Sequence, residues 1–107
     1  MADPVITEHP ESSRWEAHVD GELAGFAEYS TVGSRIIFTH TEVLPAHEGQ
    51  GIGGALTRAA LDAIRDRGSE EIVPICPFIA GWIMRHREYA PLVTPALRRQ
   101  FEAPSEG

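Results

Sequence analysis

Four glycines fall within six residues of this chain, from Gly49 to Gly54. They follow Pro45, which ends a strand-like stretch, and lead into apolar residues at helical spacing: Ile52, Leu56, Ala59, Ala60, Ala63 and Ile64. Gly68 stands where a glycine would end that helix. A strand-to-helix turn needs one or two glycines, so the others indicate a close approach to the backbone or outward-facing N–H groups. Because amides at a helix N-terminus bind phosphate oxygens, this junction predicts a phosphate site.

Two familiar phosphate loops do not fit the junction. A Walker loop requires a lysine, and all nine basic residues of the chain are arginines. A dinucleotide fingerprint requires strands that alternate with helices, and the strands predicted before the junction have no helices between them. The junction therefore predicts a phosphate loop of another kind.

Three strands are predicted before the junction. From Arg14, apolar and polar residues alternate, which is typical of a strand with one wet face. Asp20-Gly21 supplies a two-residue hairpin turn, and residues 22–30 return as the second strand. Residues 35–43, rich in Ile, Phe and Thr, form the third strand. The three strands make an antiparallel meander, and the first ten residues are a loose or edge-pairing start.

A fourth strand and a second helix are predicted after Gly68. Residues 71–76 form the strand, where Pro74 indicates that part of one side is unpaired. Pro77 begins the helix, whose inner face would carry Phe78, Ile79, Trp82, Ile83 and His86. The order β-β-β-α-β-α predicts an α/β fold, with a small, mixed, mostly antiparallel sheet and helices on its faces. We expect one domain over residues 1–107, with an ordered core at about 14–90 and a polar C-terminal tail.

Composition and charge exclude several classes of protein. The net charge of −7 opposes a nucleic-acid partner. No apolar stretch is long enough for a membrane span, and the N-terminus has no signal-peptide pattern, so we expect a cytoplasmic protein. The single cysteine, Cys76, excludes an internal disulfide, and the five histidines are too scattered for a metal site.

Three motifs in order resemble those of one family. Residues 48–56, Glu-Gly-Gln-Gly-Ile-Gly-Gly-Ala-Leu, resemble the coenzyme A loop of the GNAT N-acetyltransferase superfamily. Residues 38–43, Phe-Thr-His-Thr-Glu-Val, and residues 73–79, Val-Pro-Ile-Cys-Pro-Phe-Ile, resemble motifs of its compact branch of about a hundred residues. The resemblance covers roughly residues 15–89.

The resemblance implies a site for acetyl-CoA. The diphosphate would bind the loop amides, here Gly49, Gln50, Gly51, Ile52, Gly53 and Gly54. The backbone at Val43 would bond the pantetheine arm and the thioester carbonyl. The strands of Val43 and Cys76 would separate to admit that arm, and Pro74, which lacks an N–H group, fits such a gap.

The chain also departs from the superfamily pattern. The Arg or Gln that usually begins the loop falls on Glu48, although a register starting at Gln50 also satisfies the consensus. The tyrosine that often acts as general acid has no clean match, and His86 and Tyr89 both lie near its place. The helices that usually follow the first strand are missing, so the acceptor site is more open, or a partner chain of a homodimer completes it.

Three residues are candidates for catalysis. His40 and Glu42 lie two apart on one strand, so both project to the same side, where either would take a proton from an amine. Cys76 faces the predicted gap, either as a nucleophile or as packing. The histidines at 9, 18 and 47 are predicted to be structural. A basic patch formed by Arg85, His86 and Arg87 is predicted either to be solvated or to contact the 3′-phosphate of the coenzyme.

These features predict an acetyl-CoA-dependent N-acetyltransferase acting on a small-molecule or peptide amine. Transfer runs either directly from the thioester or through an acetyl-Cys76 intermediate. The alternative is a coenzyme-A-binding sensor or interaction module without turnover.

Overall fold

The elements of the fold follow the sequence pattern closely. The structure is a computed structural model, in which residues 3–102 are described. The strands are β1 (Val5–His9), β2 (Arg14–Val19), β3 (Glu22–Val32), β4 (Arg35–Val43) and β5 (Glu71–Pro74), and the α-helices are α1 (Ile52–Arg67), α2 (Pro77–Arg85) and α3 (Pro95–Arg98). Short 3₁₀ helices lie at Pro10–Ser12, Pro45–His47, Arg87–Leu92 and Arg99–Phe101. Among residues 3–102, no helix is both long and apolar enough to cross a membrane.

The five strands form one sheet in chain order. β1 to β4 are antiparallel neighbours, and β5 runs parallel to β4 after the crossover through α1. Asp20 and Gly21 both adopt positive φ angles, of 51° and 80°, which is the backbone of the predicted hairpin turn. The predicted mixed, mostly antiparallel α/β fold is confirmed, with β1 as an additional edge strand.

One face of the sheet and the inner side of α1 make the core. The fully buried side chains include Ala17, Ala27, Phe38, Leu56, Leu61 and Ile64. Gly68 ends α1 in the left-handed region, and its N–H donates to the Ile64 carbonyl at 3.1 Å. At its other end, α1 begins at Ile52, directly after the glycine at position 51.

The opposite face of the sheet is polar. Arg14, Glu28 and His40 lie side by side on β2, β3 and β4, and the next row holds Phe26 and Glu42. These side chains are exposed or half-buried, whereas Trp15 on β2 and Ala27 on β3, which project to the other face, are buried. We call this surface the open face.

Three predicted positions are corrected by the structure. β5 ends at Pro74, so Cys76 is not the end of the strand but the residue that precedes α2. Phe78 is not buried with the core, because it lies in the first turn of α2 and 41% of its surface is exposed. Ordered structure also extends past residues 14–90, since β1 pairs with β2 and Phe101 is buried. Residues 103–107 of the predicted polar tail lie outside the described residues.

Candidate active site

The N-terminus of α1 presents amides without helical partners. The first backbone bond of the helix runs from the Ala55 N–H to the Gly51 carbonyl, at 3.0 Å. The N–H groups of Ile52, Gly53 and Gly54 therefore have no acceptor within the helix. Gly51 precedes the helix with a φ of 77° and has no side chain to cap these groups. Three free amides at the positive end of a 16-residue helix make a site for an anion.

One of the loop glycines, Gly53, is explained by packing of α2 on α1. A Cβ atom added at Gly53 would lie 2.6 Å from Cζ of Phe78, so only glycine fits beneath that ring. One added at Gly54 would lie 3.6 Å from Nε1 of Trp82, an ordinary contact. The close approach to the backbone that the glycine count predicts is therefore, at Gly53, an approach by the chain's own phenylalanine.

β4 and β5 part at the C-terminal end of β5. Their pairing ends with Phe38 opposite Pro74, and one further link joins the Cys76 N–H to the Phe38 carbonyl at 2.8 Å. Residues 39–43 continue β4, and in the described register only β3 pairs with them. Residues 39–43 therefore have no strand partner on the side of β5 within the described register, and we call the space along this side of β4, next to the start of α2, the gap.

A bulge directs the Val43 amide into this gap. Glu28 pairs with His40 but Tyr29 pairs with Phe38, so Thr39 is an extra residue in β4. The Leu44 N–H donates back to β3, to the Ala24 carbonyl at 2.8 Å. Because the backbone groups of a strand alternate sides, the N–H of the preceding residue, Val43, faces away from β3 and into the gap.

The same bulge places His40 and Glu42 on the open face. Nε2 of His40 lies 3.2 Å from Oε1 of Glu42, and their side chains are 53% and 50% exposed. Both residues share a face, as predicted, but that face is opposite the buried side chain of Phe38. Strand parity alone would put Phe38 on the same side as His40 and Glu42, and the extra residue Thr39 reverses this.

Cys76 lies on the core side of the gap. Only 3% of its surface is exposed, and its thiol donates to the Thr41 hydroxyl with a sulfur–oxygen distance of 3.4 Å. Thr41 alternates with His40 and Glu42 along β4, so their side chains project to the other face. The described contacts of the thiol thus include a hydroxyl, and neither of the proposed proton acceptors shares its face.

Tyr89, one of the two candidate general acids, forms hydrogen bonds with side chains of α1. Its hydroxyl donates to Asp62 at 2.6 Å and accepts from Arg58 at 3.2 Å. Burial, with the Asp62 carboxylate as second cause, raises the pKa of the Tyr89 phenol. A phenol with a raised pKa is a weaker acid, so this contact serves packing better than proton donation.

The other candidate general acid, His86, is fixed in place by contacts with Trp82. Its ring stacks on Trp82 with 3.9 Å between centroids, and its Nδ1 lies 2.8 Å from the Trp82 carbonyl oxygen. Of the predicted basic patch around it, Arg87 bonds the carbonyls of Phe101 and Glu102 and so ties down the C-terminal segment. Arg85 is exposed.

Two residues near the loop were missed as functional candidates in the sequence. Arg58 follows Gly54 by one helical turn, is exposed, and places its guanidinium 5.2 Å from the Trp82 ring. The i+4 spacing from the glycine loop was the available signal. The second, His47, is buried directly before the loop.

Glu48, at the start of the loop, is exposed. The described residues hold no group of three side chains that could bind a metal ion.

The described part of the chain thus combines a helix N-terminus whose first amides have no helical acceptor with a stretch of β4 that β5 does not pair. Residues 14–92 match the family model of the GCN5-related N-acetyltransferases. This chain belongs to that family.

Relatives of known name support the same assignment. Streptothricin acetyltransferase of Streptomyces lavendulae is 48% identical over 52 residues, which are 47% of this chain and 28% of that protein. A GNAT family acetyltransferase from Brucella melitensis, solved in complex with acetyl-CoA, is 27% identical with a TM-score of 0.51, over 61% of this chain and 47% of that one. The ribosomal-protein-alanine N-acetyltransferase from Brucella melitensis biovar Abortus 2308 shares the fold, at 23% identity and a TM-score of 0.54 over 88% of this chain and 63% of that one. The chain thus spans between about a quarter and two thirds of these relatives.

Proposed function

We propose that this chain transfers an acetyl group from acetyl-CoA to an amine. One observation carries the proposal: three unpartnered amides at the N-terminus of α1 lie beside a gap into which the Val43 N–H points. The two features match the two ends of the donor. Amides with a helix dipole behind them suit a diphosphate, and a single strand amide suits a carbonyl oxygen.

The coenzyme would be held by backbone more than by side chains. The amides of Ile52, Gly53 and Gly54 would bind diphosphate oxygens, and the exposed Arg58 would supply a nearby positive charge. The pantetheine arm would pass between β4 and the start of α2. Binding by backbone suits a chain with a net charge of −7, because amides fixed by the fold would donate to phosphate oxygens without a basic side chain.

The reaction is attack of the amine nitrogen on the thioester carbonyl. A carbon–nitrogen bond forms, the carbon–sulfur bond breaks, and the sulfur leaves with the electron pair. The Val43 N–H would donate to the carbonyl oxygen as negative charge develops on it. The His40–Glu42 pair, at the edge of the gap on the open face, would take the proton of the amine directly or through one water.

Direct transfer is favoured over an acetyl-Cys76 intermediate. A cysteine nucleophile needs a base or cation beside it, and the described partner of this thiol is the Thr41 hydroxyl. The residues suited to remove its proton, His40 and Glu42, project to the opposite face. The buried Cys76 fits a packing role at the start of α2.

The acceptor would approach over the open face. Phe26 offers a half-buried ring there, 6.0 Å from the His40 ring between centroids. Glu28 lies opposite His40 in the register, and Glu42 beside Phe26. The Arg14 guanidinium already lies over the Phe26 ring, at 4.6 Å, so it is the carboxylates of Glu28 and Glu42 that suit an amine acceptor carrying further positive charge. The named relatives acetylate streptothricin or a ribosomal protein, so both small-molecule and protein amines belong in the first panel of acceptors.

Binding and turnover separate the proposal from its alternative. Acetyl-CoA at a hundredfold excess over its dissociation constant should raise the free energy of unfolding by about 2.7 kcal/mol. NAD and ATP at the same concentration should raise it far less. Release of free thiol with an amine panel then measures transfer. Binding without turnover on any amine would identify a coenzyme-A-binding module, and failure to bind acetyl-CoA would overturn the proposal.

A further inference from the structure

Arg58 is the arginine of α1 that lies nearest the glycine loop. The other two arginines of that helix, Arg65 and Arg67, have carboxylate oxygens at 3.4 Å and 2.7 Å. The residues that the structure describes give Arg58 no ion pair, and its hydrogen bond is made to a neutral hydroxyl, that of Tyr89. In a chain with a net charge of −7, an exposed arginine without a carboxylate partner is available to a negatively charged ligand.

Aromatic side chains of α2 and the segment after it hold the Arg58 guanidinium in place. It lies 5.2 Å from the centroid of the Trp82 ring and 5.9 Å from that of Tyr89. Its Nη1 donates to the Tyr89 hydroxyl at 3.2 Å, and that hydroxyl donates in turn to Asp62 at 2.6 Å. The phenol is thus fixed by two partners on α1, and it fixes one corner of the guanidinium. The other N–H groups of Arg58 have no acceptor among residues 3–102.

The indole N–H of Trp82 lies beside the first turn of the same helix. Only 4% of the surface of Trp82 is exposed, and its Nε1 would be 3.6 Å from a Cβ atom at Gly54. The N–H of a buried tryptophan usually has an acceptor, but this one has none within the described part of the chain. Because side chains of a helix lean towards its N-terminus, Arg58 covers the turn that contains Gly54. A guanidinium and an unpartnered indole N–H therefore flank the turn that carries the free amides.

We propose that Arg58 and the Trp82 N–H bind a phosphate monoester, which is the 3′-phosphate of the coenzyme, and that Tyr89 positions Arg58 for this contact. The proposal rests on the proposed binding of acetyl-CoA at the loop. A phosphate monoester carries up to two negative charges, and the paired N–H donors of an arginine match its oxygens. Arg58 follows Gly54 by ~6 Å along the helix axis, and the ribose joins the 3′-phosphate to the diphosphate at short range.

The basic patch predicted at residues 85–87 is less suited to this phosphate. The His86 ring is stacked on Trp82, and Arg87 donates to two carbonyls of the C-terminal segment. Arg85 is exposed at the end of α2 and is the competing candidate. The aromatic contacts that hold Arg58 distinguish it from Arg85, because a fixed guanidinium loses less side-chain entropy when it binds.

Two ligands that differ only in this phosphate test the proposal. We would measure the dissociation constants of acetyl-CoA and acetyl-3′-dephospho-CoA by calorimetry at about pH 7.5, where the 3′-phosphate is mostly a dianion. The native protein should bind acetyl-CoA about tenfold more tightly, as is usual for hydrogen bonds between charged groups. Arg58→Gln should bind the two ligands about equally, and its affinity for the dephospho ligand should stay close to that of the native protein.

Arg65→Gln is the matched control. Arg65 is on the same helix and also lies near the Tyr89 ring, at 5.8 Å, but it is two helical turns further from the loop than Arg58. This variant should keep the preference for acetyl-CoA.

Two further variants test the groups around the guanidinium. Tyr89→Phe removes the hydroxyl that holds Arg58 and keeps the ring, so the preference for acetyl-CoA should become smaller without being lost. Trp82→Phe removes the indole N–H and keeps an aromatic ring, and it should also reduce the preference. A merely structural role of either residue would weaken the binding of both ligands alike, which would contradict the part assigned to it.

The affinities for the two ligands also separate this proposal from the proposed function. Equal affinity of the native protein for both would overturn the phosphate contact and leave the binding of the acyl carrier intact. A loss in Arg58→Gln that is the same for both ligands would overturn it too, because Arg58 would then serve the diphosphate or the fold. So would loss of the preference in Arg85→Gln in place of Arg58→Gln. Failure of the native protein to bind either ligand would overturn the proposed function as well.

Discussion

The ring of Phe78 lies directly over Gly53, so that the first turn of α2 covers the first turn of α1. The contact is closer than any side chain at position 53 allows, since a Cβ atom there would be 2.6 Å from Cζ. It joins the two helices at the place where α1 presents its free amides. The geometry of the proposed diphosphate site therefore depends on how α2 packs, as well as on the loop itself.

We predict that Gly53→Ala destabilises the fold. The added methyl group forces the ring of Phe78 to move, and because that ring is 41% exposed we expect a cost of about 1 kcal/mol, at the low end for overpacking. Gly54→Ala is the matched control, because its Cβ atom would meet Trp82 at an ordinary 3.6 Å. That change should stabilise the helix by roughly 0.5–1 kcal/mol, as is usual for alanine in place of a helical glycine. Urea unfolding of both variants measures whether the free energy of unfolding falls for Gly53→Ala and rises for Gly54→Ala.

A double-mutant cycle tests the cause. Phe78→Ala removes the ring, so Gly53→Ala should cost much less in that background. Equal costs of Gly53→Ala with and without Phe78 would show that the strain arises elsewhere.

A second prediction concerns the anion site. Gly51→Asp places a carboxylate at the residue before α1, where it would cap the free amides and repel a diphosphate. Acetyl-CoA affinity should fall by at least about tenfold, a loss of roughly 1.4 kcal/mol. Gly33→Asp is the control, because Gly33 also has a positive φ and open space around it but lies in the turn at the other end of β4. Equal affinity of the two variants, measured by calorimetry, would contradict the assignment of the site.

The strands and α1 were predictable because local signals agree there. The bounds of β4 and the ends of α1 at Ile52 and Gly68 follow from alternation, glycine and helical spacing. In the candidate site, the glycines lie directly before α1 and His40 and Glu42 share a face, as the sequence predicts, and the roles of these residues stay predictions.

The predictions that were wrong or incomplete concerned contacts between residues that are distant in the sequence. Thr39 has no local sign of a bulge, because the extra residue appears only in the pairing of β4 with β3. The exposure of Phe78 depends on Gly53, which lies on another helix. His47 resembled any other histidine until Gln50 and Glu22 were seen around it.

A third prediction concerns stability at low pH. A hydrogen bond from Arg14, at 2.7 Å, is the main cause that lowers the pKa of Glu16 in the folded state. A lowered pKa contributes stability above the ordinary pKa of glutamate, about 4.3, and that stability is lost as the pH falls through the folded value. Arg14→Gln should thus be less stable than the native protein at pH 6, and the difference should shrink below about pH 4.

Unfolding free energies at several pH values measure this difference. Arg14 also lies over the Phe26 ring, at 4.6 Å, but loss of that contact changes stability equally at every pH. Arg35→Gln is the control, since the pair of Arg35 with Glu71 is looser, at 3.6 Å, and more exposed. A pH-independent cost of Arg14→Gln would contradict the prediction.

A fourth prediction separates binding from catalysis. Glu42→Gln should lower kcat by about 10²- to 10⁴-fold, because the amide cannot take the proton of the amine. The dissociation constant of acetyl-CoA should stay within a few-fold, since backbone amides make the site. Glu88→Gln, at an exposed glutamate after α2, is the control. A collapse of affinity with kcat preserved would make Glu42 a binding residue.

The last prediction decides the role of Cys76. Cys76→Ala should lower the free energy of unfolding by about 1–2 kcal/mol, because a small buried side chain is removed and the Thr41 hydroxyl loses its donor. Turnover at saturating substrates should remain within a few-fold of the native rate. Cys76→Ser is the companion variant, since it keeps a donor to Thr41 and nearly the same volume but is a far weaker nucleophile.

If Cys76 carries the acetyl group, both variants lose turnover and the native protein incubated with acetyl-CoA alone accumulates an acetylated Cys76 peptide, detected by mass spectrometry. Substantial turnover in Cys76→Ala eliminates that route even if an adduct forms, because a group that can be removed without loss of rate does not lie on the path.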